Sequence, residues 1–154
     1  MFDLDETLVN YNVEADLGRT RPGAVELLRY VYEVLSSVGG RIDICTRGTH
    51  DYAAGIATLL EAVVGNGFRF GQVVSREMLG PKLEKSLAAG GWDGNNVVIV
   101  DDTPEMWTAQ LAAKGGLARH GSNGSNGSGW SNRRVMQVEA YQGCSSVGRY
   151  SFHR

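Results

Sequence analysis

Two periods of hydrophobic recurrence alternate along most of this chain. At the start, Phe2 and Leu4 interleave with Asp3 and Asp5, which predicts a short strand over FDLD and then a polar loop to about Thr20. From Arg21-Pro22-Gly23 the period lengthens. Ala24, Leu27, Leu28, Val31, Leu35 and Val38 recur at helical spacing, Glu26, Arg29 and Glu33 line the other face, and Gly39-Gly40 marks the end. RIDICT (41–46) returns to strand alternation through Ile42 and Ile44. HDYAAGIATLLEAVVG is a second amphipathic helix, with its apolar face expected at Tyr52, Ile56, Leu59, Leu60 and Val63. FRFGQVVS reads as a third strand, KLEKSLAA as a short helix and NNVVIVDD as a buried strand. TPEMWTAQLAAKG follows as a helix with Pro104 in its first turn.

Strands that alternate with helices imply parallel βαβ units, so the fold class is α/β, a three-layer, doubly wound parallel sheet of Rossmann type. Ligands in such sheets bind beyond the carboxyl ends of the strands, where DLDET, ICTRG and IVDDT all fall. At 154 residues, one domain spanning 1–154 is expected. HGSNGSNGSGWSN is low-complexity and reads as a flexible insertion at about 120–132, because VMQVEAY beyond it alternates like one more strand. QGCSSVGRYSFHR carries no assignment.

Charge narrows the function classes. A net charge of −2 gives no basic field for nucleic acid, and no segment reaches the roughly 18 apolar residues of a membrane span. Met1 leads straight into acidic residues, with no secretory signal. Cys45 and Cys144 make no disulfide framework, so a reducing intracellular compartment is expected. Cys45 sits inside a buried strand and reads as packing, not as a nucleophile. His50, His120 and His153 show no metal spacing.

The opening residues raise the chemical question. Asp3 and Asp5 alternate, and two carboxylates on one strand face repel unless a cation stands between them. A turn or helix cap is the plain alternative. Thr46 after the second strand, a lysine at 82 or 85 and Asp101-Asp102 after the last strand converge on the same rim, which turn chemistry does not explain.

In that order these pieces resemble the haloacid dehalogenase superfamily of phosphotransferases. More narrowly, RPG, ICTRGTHDYA, VVSRE and VVIVDDTPEMW resemble the phosphatases of the RNA polymerase II C-terminal domain, over roughly residues 1–110. The resemblance implies a protein serine/threonine phosphatase in which Asp3 is the nucleophile that forms an aspartyl-phosphate. Asp5 is then the acid and base, Thr46 holds a phosphoryl oxygen and Mg²⁺ is bound by Asp3, the Asp5 carbonyl and Asp102. Lys82 is preferred over Lys85 as the charge-balancing lysine, because Pro81 would fix it at a helix start, and Asp101 reads as its structural partner. Arg76 in VVSRE is the candidate substrate-binding residue. Arg47 stands where small residues are common in the family, and Trp107 reads as core.

By the same resemblance the partner is a phosphorylated protein segment, the polymerase C-terminal repeat, and the location is the nucleus, with no nucleic acid or membrane bound directly. Relatives carry apolar residues ahead of DLDET, so the first strand is expected to be cut short, as in a fragment or a chain with a misassigned start. Little sequence separates DLDET from RPG, which implies a capless, open site. The alternatives are a capless phosphatase of small metabolites or nucleic-acid ends, and a scaffold relative of weak activity, although scaffold members typically lose the paired aspartates.

Overall fold

Phe2 is the residue on which the sheet centres. In a computed structural model that describes residues 1–10, 20–92, 96–103, 106–107, 117–118 and 135–139, Phe2 bridges in parallel to both Ile44 and Val100. Its amide donates to Asp43 O at 2.8 Å and its carbonyl accepts from Cys45 N at 2.9 Å. Across the other edge Asp3 N donates to Val100 O at 2.9 Å.

Around this stub the described residues form five short strands: β1 (Ile44–Cys45), β2 (Val73–Val74), β3 (Ile99–Asp101), β4 (Leu117–Ala118) and β5 (Val135–Gln137). The pairings β1–β2, β3–β5 and β4–β5 are all parallel. Together with the Phe2 bridges they give the order β2, β1, stub, β3, β5, β4. The strands are shorter than the apolar runs predict, and β5 falls within VMQVEAY as expected.

Residue alternation divides the core between the two sheet faces. Ile44 and Val100 join a cluster with Leu4, Leu8, Leu28, Ile56, Leu60 and Phe68. Their neighbours Cys45 and Ile99 join Val74 and Trp107 in a second cluster. Successive side chains of a strand point to opposite faces, so both faces of the sheet bury apolar side chains.

Helix α1 (Ala24–Ser36) and helix α2 (His50–Val64) pack on each other. The α1 N-cap is Gly23 at φ 82°, a left-handed conformation that suits glycine. Arg29, expected on a solvent face, donates from Nε and Nη2 to the carbonyls of Val64 and Val63, both at 2.9 Å. It thus satisfies the open C-terminal carbonyls of α2 with a cation, where the helix dipole favours one.

The buried face of α2 is Ala53, Ile56, Ala57, Leu60 and Val64, so the expected inclusion of Leu59 and Val63 is corrected: they are 41% and 53% exposed. The alanines decide the rotation, since small side chains let α2 approach the sheet. Leu27 on α1 and Val38 in the turn beyond it are likewise exposed.

KLEKSLAA is not a helix. Leu83 takes φ 52°, and the segment runs through turns into a bridge between Lys85 and Trp107, then a 3-10 turn over Ala88–Gly90. A left-handed non-glycine residue interrupts helical hydrogen bonding at that point. Most of TPEMWTAQLAAKG, the glycine-rich run at 120–132 and QGCSSVGRYSFHR lie outside the described residues.

Leu28 is fully buried and Val34, on the same helix, is 47% exposed. Leu28→Ala is expected to cost about 2–4 kcal/mol in urea unfolding, and Val34→Ala less than about 1 kcal/mol. Equal losses would show that α1 does not face the core as described.

Candidate functional site

Three chain segments end at one rim. Leu4 O accepts the amides of Leu8 and Val9, and Glu6 adopts φ 59°, so the chain curls sharply after the stub and holds Asp3 and Asp5 at its mouth. β1 delivers Thr46, whose amide donates to Val74 O. β3 delivers Asp101 and Asp102. The resulting cavity of about 450 Å³ is lined by Asp3, Asp5, Glu6, Thr46, Arg47, Gly48, Arg76, Lys85, Asp102 and Thr103.

Lys85 forms the floor. It is 1% exposed, with Nζ 2.9 Å from Asp3 Oδ1 and 2.7 Å from Asp101 Oδ2. The contact to Asp101 is a hydrogen bond, and that to Asp3 is an ion pair out of line for one. Burial disfavours the ammonium, but the charges of Asp3 and Asp101 outweigh it and hold the Lys85 pKa above its usual value. Lys82 is exposed and lines no part of the cavity. The preference for Lys82 is therefore corrected: with no helix at Pro81, the chain turns at Leu83 and the backbone bond from Lys85 N to Met106 O brings Lys85 inward.

Asp101 and Asp102 divide their work. Asp101 is fully buried and accepts from Lys85 Nζ, Trp107 Nε1 and both Thr103 N and Oγ1. It is held within the protein and faces no part of the cavity. Asp102 is half-buried and faces the cavity. Thr7 fixes it: Thr7 Oγ1 donates to Asp102 Oδ1 and accepts from Asp102 N, both at 3.1 Å.

The carboxylates are crowded. Asp3, Asp101 and Asp102 each bring an oxygen within 4.8 Å of the others. Burial, and secondarily Asp101, raise the Asp3 pKa to about 7, although Lys85 opposes the shift. Burial also raises Asp5 and Asp102, the latter helped by Asp101. An all-oxygen donor set with its charges pushed towards neutrality fits a hard divalent cation. Asp101 is saturated by its donors, so Asp3 and Asp102 are the carboxylates free to turn towards one.

Tyr52 and Thr46 orient Asp5. The Tyr52 hydroxyl makes a short hydrogen bond to Asp5 Oδ1, and Thr46, itself buried, also hydrogen-bonds the Asp5 carboxylate. Thr46 Oγ1 accepts from Gly48 N at 3.1 Å. Tyr52 and Thr7 were not among the expected site residues. The signal for Tyr52 was the Thr–x–x–x–x–x–Tyr spacing from Thr46, and for Thr7 its place in the same alternation as Asp3 and Asp5. Cys45 is buried with its thiol pushed up to about 12 by desolvation, and packs as expected.

A model of the NLI interacting factor-like phosphatases matches residues 1–115. The chain belongs to that family. The resemblance to the polymerase C-terminal domain phosphatases is borne out with it. Among solved structures, the RNA polymerase II CTD phosphatase Fcp1 superposes with a TM-score of 0.61 at 18% identity, covering 96% of this chain and 43% of that one. A fission yeast Fcp1 variant bound to beryllium fluoride gives the same TM-score and identity, with 42% of its length covered. The likeness is one of fold, and this chain spans less than half the length of either. No curated protein sequence gives a match.

Lys85→Met would leave Asp3 and Asp101 facing each other without a cation, and is expected to cost about 3–5 kcal/mol. Lys82→Met is expected to leave the urea midpoint unchanged. The reverse order would mean that the buried ion pairs are misassigned.

A carboxylate that keeps its proton to about 7 when folded, but releases it near 3.8 when unfolded, weakens the fold as pH rises across that window. Asp5 and Asp102 shift in the same direction, so metal-free protein should melt at lower temperature at pH 8 than at pH 5. Adding Mg²⁺ at pH 8 should recover the difference. A melting temperature that rises with pH in EDTA would contradict this.

Proposed function

We propose that this protein is a Mg²⁺-dependent phosphatase of phosphoserine and phosphothreonine in protein segments, acting through an aspartyl-phosphate on Asp3. The observation that carries the reading is the pairing of Asp3 with the buried Lys85 beside a cavity that Asp5, Thr46 and Asp102 share. Family membership supports the phosphatase chemistry, and the Fcp1 fold supports a phosphoprotein substrate. From the same likeness we take the polymerase C-terminal repeat as the substrate and the nucleus as the setting. We also extend it to a capless, three-layer, doubly wound sheet in a single domain, for which the strand order about the stub and the two core clusters are the support.

The steps follow from the charges. Lys85 opposes the effect of burial on Asp3 and favours its ionised form, and it engages one carboxylate oxygen, so that the other can face the phosphorus. Attack by that oxygen forms the Asp3–phosphate bond as the bond to the serine oxygen breaks. Asp5, raised in pKa by burial, carries the proton that the leaving alkoxide needs, and Tyr52 keeps its carboxyl in place. Thr46, which lines the cavity and whose Oγ1 is held by the Gly48 amide, can turn its hydroxyl hydrogen to a phosphoryl oxygen. The ionised Asp5 then takes a proton from the water that attacks phosphorus and frees Asp3. Mg²⁺, when held by Asp3, Asp102 and the Asp5 carbonyl, supplies charge neutralisation to the phosphoryl group.

Asp3→Asn keeps the shape and removes the nucleophile, so kcat on a phosphorylated heptad-repeat peptide should fall by at least about a thousandfold, while the protein stays folded by circular dichroism. EDTA should abolish wild-type turnover and Mg²⁺ restore it. Full activity in EDTA, or a panel of sugar and nucleotide phosphates outcompeting the peptide tenfold, would overturn the proposal.

A further inference from the structure

The cavity floor uses its own cation internally, yet its rim carries two more. Lys85 is neutralised by Asp3 and Asp101. Arg47 and Arg76 line the same cavity but are exposed, and among the described residues neither guanidinium is ion-paired to a carboxylate. They come from distant parts of the sequence and are joined into one edge. Arg76 Nε donates to Arg47 O at 2.8 Å, and Arg76 N donates to Gly48 O at 2.9 Å. The 3-10 turn Arg76–Met78 is thereby docked on the loop that leaves β1.

That docking has a directional consequence. With Nε engaged on the backbone, Arg76 retains its terminal nitrogens for a ligand. Arg47 extends from the residue after Thr46 towards Met106, where Nη1 lies 4.0 Å from the sulfur. A thioether is a weak acceptor and does not neutralise a guanidinium. One phosphoryl dianion on the floor, met by Thr46 and a bound divalent cation, has no need of both arginines. Their planar, multidentate donors suit a carboxylate or phosphate standing beside the scissile group.

We infer that Arg47, with Arg76, selects substrates bearing a second anionic group next to the phosphate to be removed: a phosphopeptide with an acidic or phosphorylated residue about two or three positions away in extended chain. This rests on the phosphopeptide reading above and deepens it. An extended peptide lies across an open rim and brings its neighbouring side chains to both guanidiniums, and the exposed setting limits each contact to a modest gain.

The test measures binding separately from turnover. Wild-type protein with Mg²⁺ is titrated with fluorescent peptides carrying a hydrolysis-resistant phosphonate in place of phosphoserine, with or without a nearby glutamate or phosphoserine. The two-anion peptides should bind roughly fivefold more tightly, with the advantage shrinking as salt is raised. Arg47→Gln should bring the ratio towards one, and Arg47→Lys should retain part of it. A ratio near one in wild type, or one that survives Arg47→Gln, overturns the inference. So would a sugar bisphosphate that binds better than every peptide, since the second anion would then belong to a small molecule. If the preference is present but the corresponding phosphopeptides are not hydrolysed, this inference stands and the proposed activity fails.

Discussion

The arrangement depends on one buried ammonium placed between two carboxylates from neighbouring strands at the centre of the sheet. Lys85 without Asp3 and Asp101 would be a desolvated charge, and the two aspartates without Lys85 would be an uncompensated like-charge pair. Burial of each is tolerable only in the presence of the others. This explains why a segment with no regular secondary structure sits so firmly: the lysine side chain, the Lys85 backbone bond to Met106 and the Lys85–Trp107 bridge all fix it against the end of β3. It also ties stability to the site, since the contact that compensates the charge is the one that fixes the Asp3 carboxylate beside the cavity.

A division of labour between adjacent acids follows. Asp101 and Asp102 differ by one residue and so point to different surroundings at the strand end. Asp101 is enclosed by four donors from Lys85, Trp107 and Thr103 and is structural in character, whereas Asp102 has Thr7 on one side and the cavity on the other. Thr7 binds Asp102 in both directions, as donor to the carboxylate and acceptor from the amide. That reciprocity links the loop after the stub to the end of β3 and keeps the two carboxylates that could share a cation at a fixed separation.

Periodicity exposed the helices and the alternation of elements because burial of one helix face is a local property of sequence. The face of α2 was harder: leucine and valine mark an apolar stripe, but Ala53 and Ala57 set which side comes close to the sheet, and alanine gives little hydrophobic signal. The acids at strand ends were legible because nothing in turn chemistry requires so many at one rim. The lysine was not. Choosing between Lys82 and Lys85 depends on whether KLEKSLAA is helical, and a left-handed Leu83 has no signature in composition. Arg29 was read as solvated because its partners, the last carbonyls of α2, are distant in sequence.

The position of Phe2 between Ile44 and Val100 has a consequence for how the molecule is assembled. Phe2 and Asp3 lie at the middle of the sheet, and one of their two neighbouring strands, β3, is synthesised about a hundred residues after them. Until β3 emerges, Asp3 lacks its backbone partner at Val100, and Lys85 lacks the Asp101 that helps hold it in place. The candidate site therefore closes only after β3 has been made, long after Asp3 and Asp5. Contacts so far apart in sequence carry a large loop-closure entropy before they return any stability. Mutations that weaken the sheet centre should then slow folding itself, and leave an early chain whose apolar stub waits without a partner.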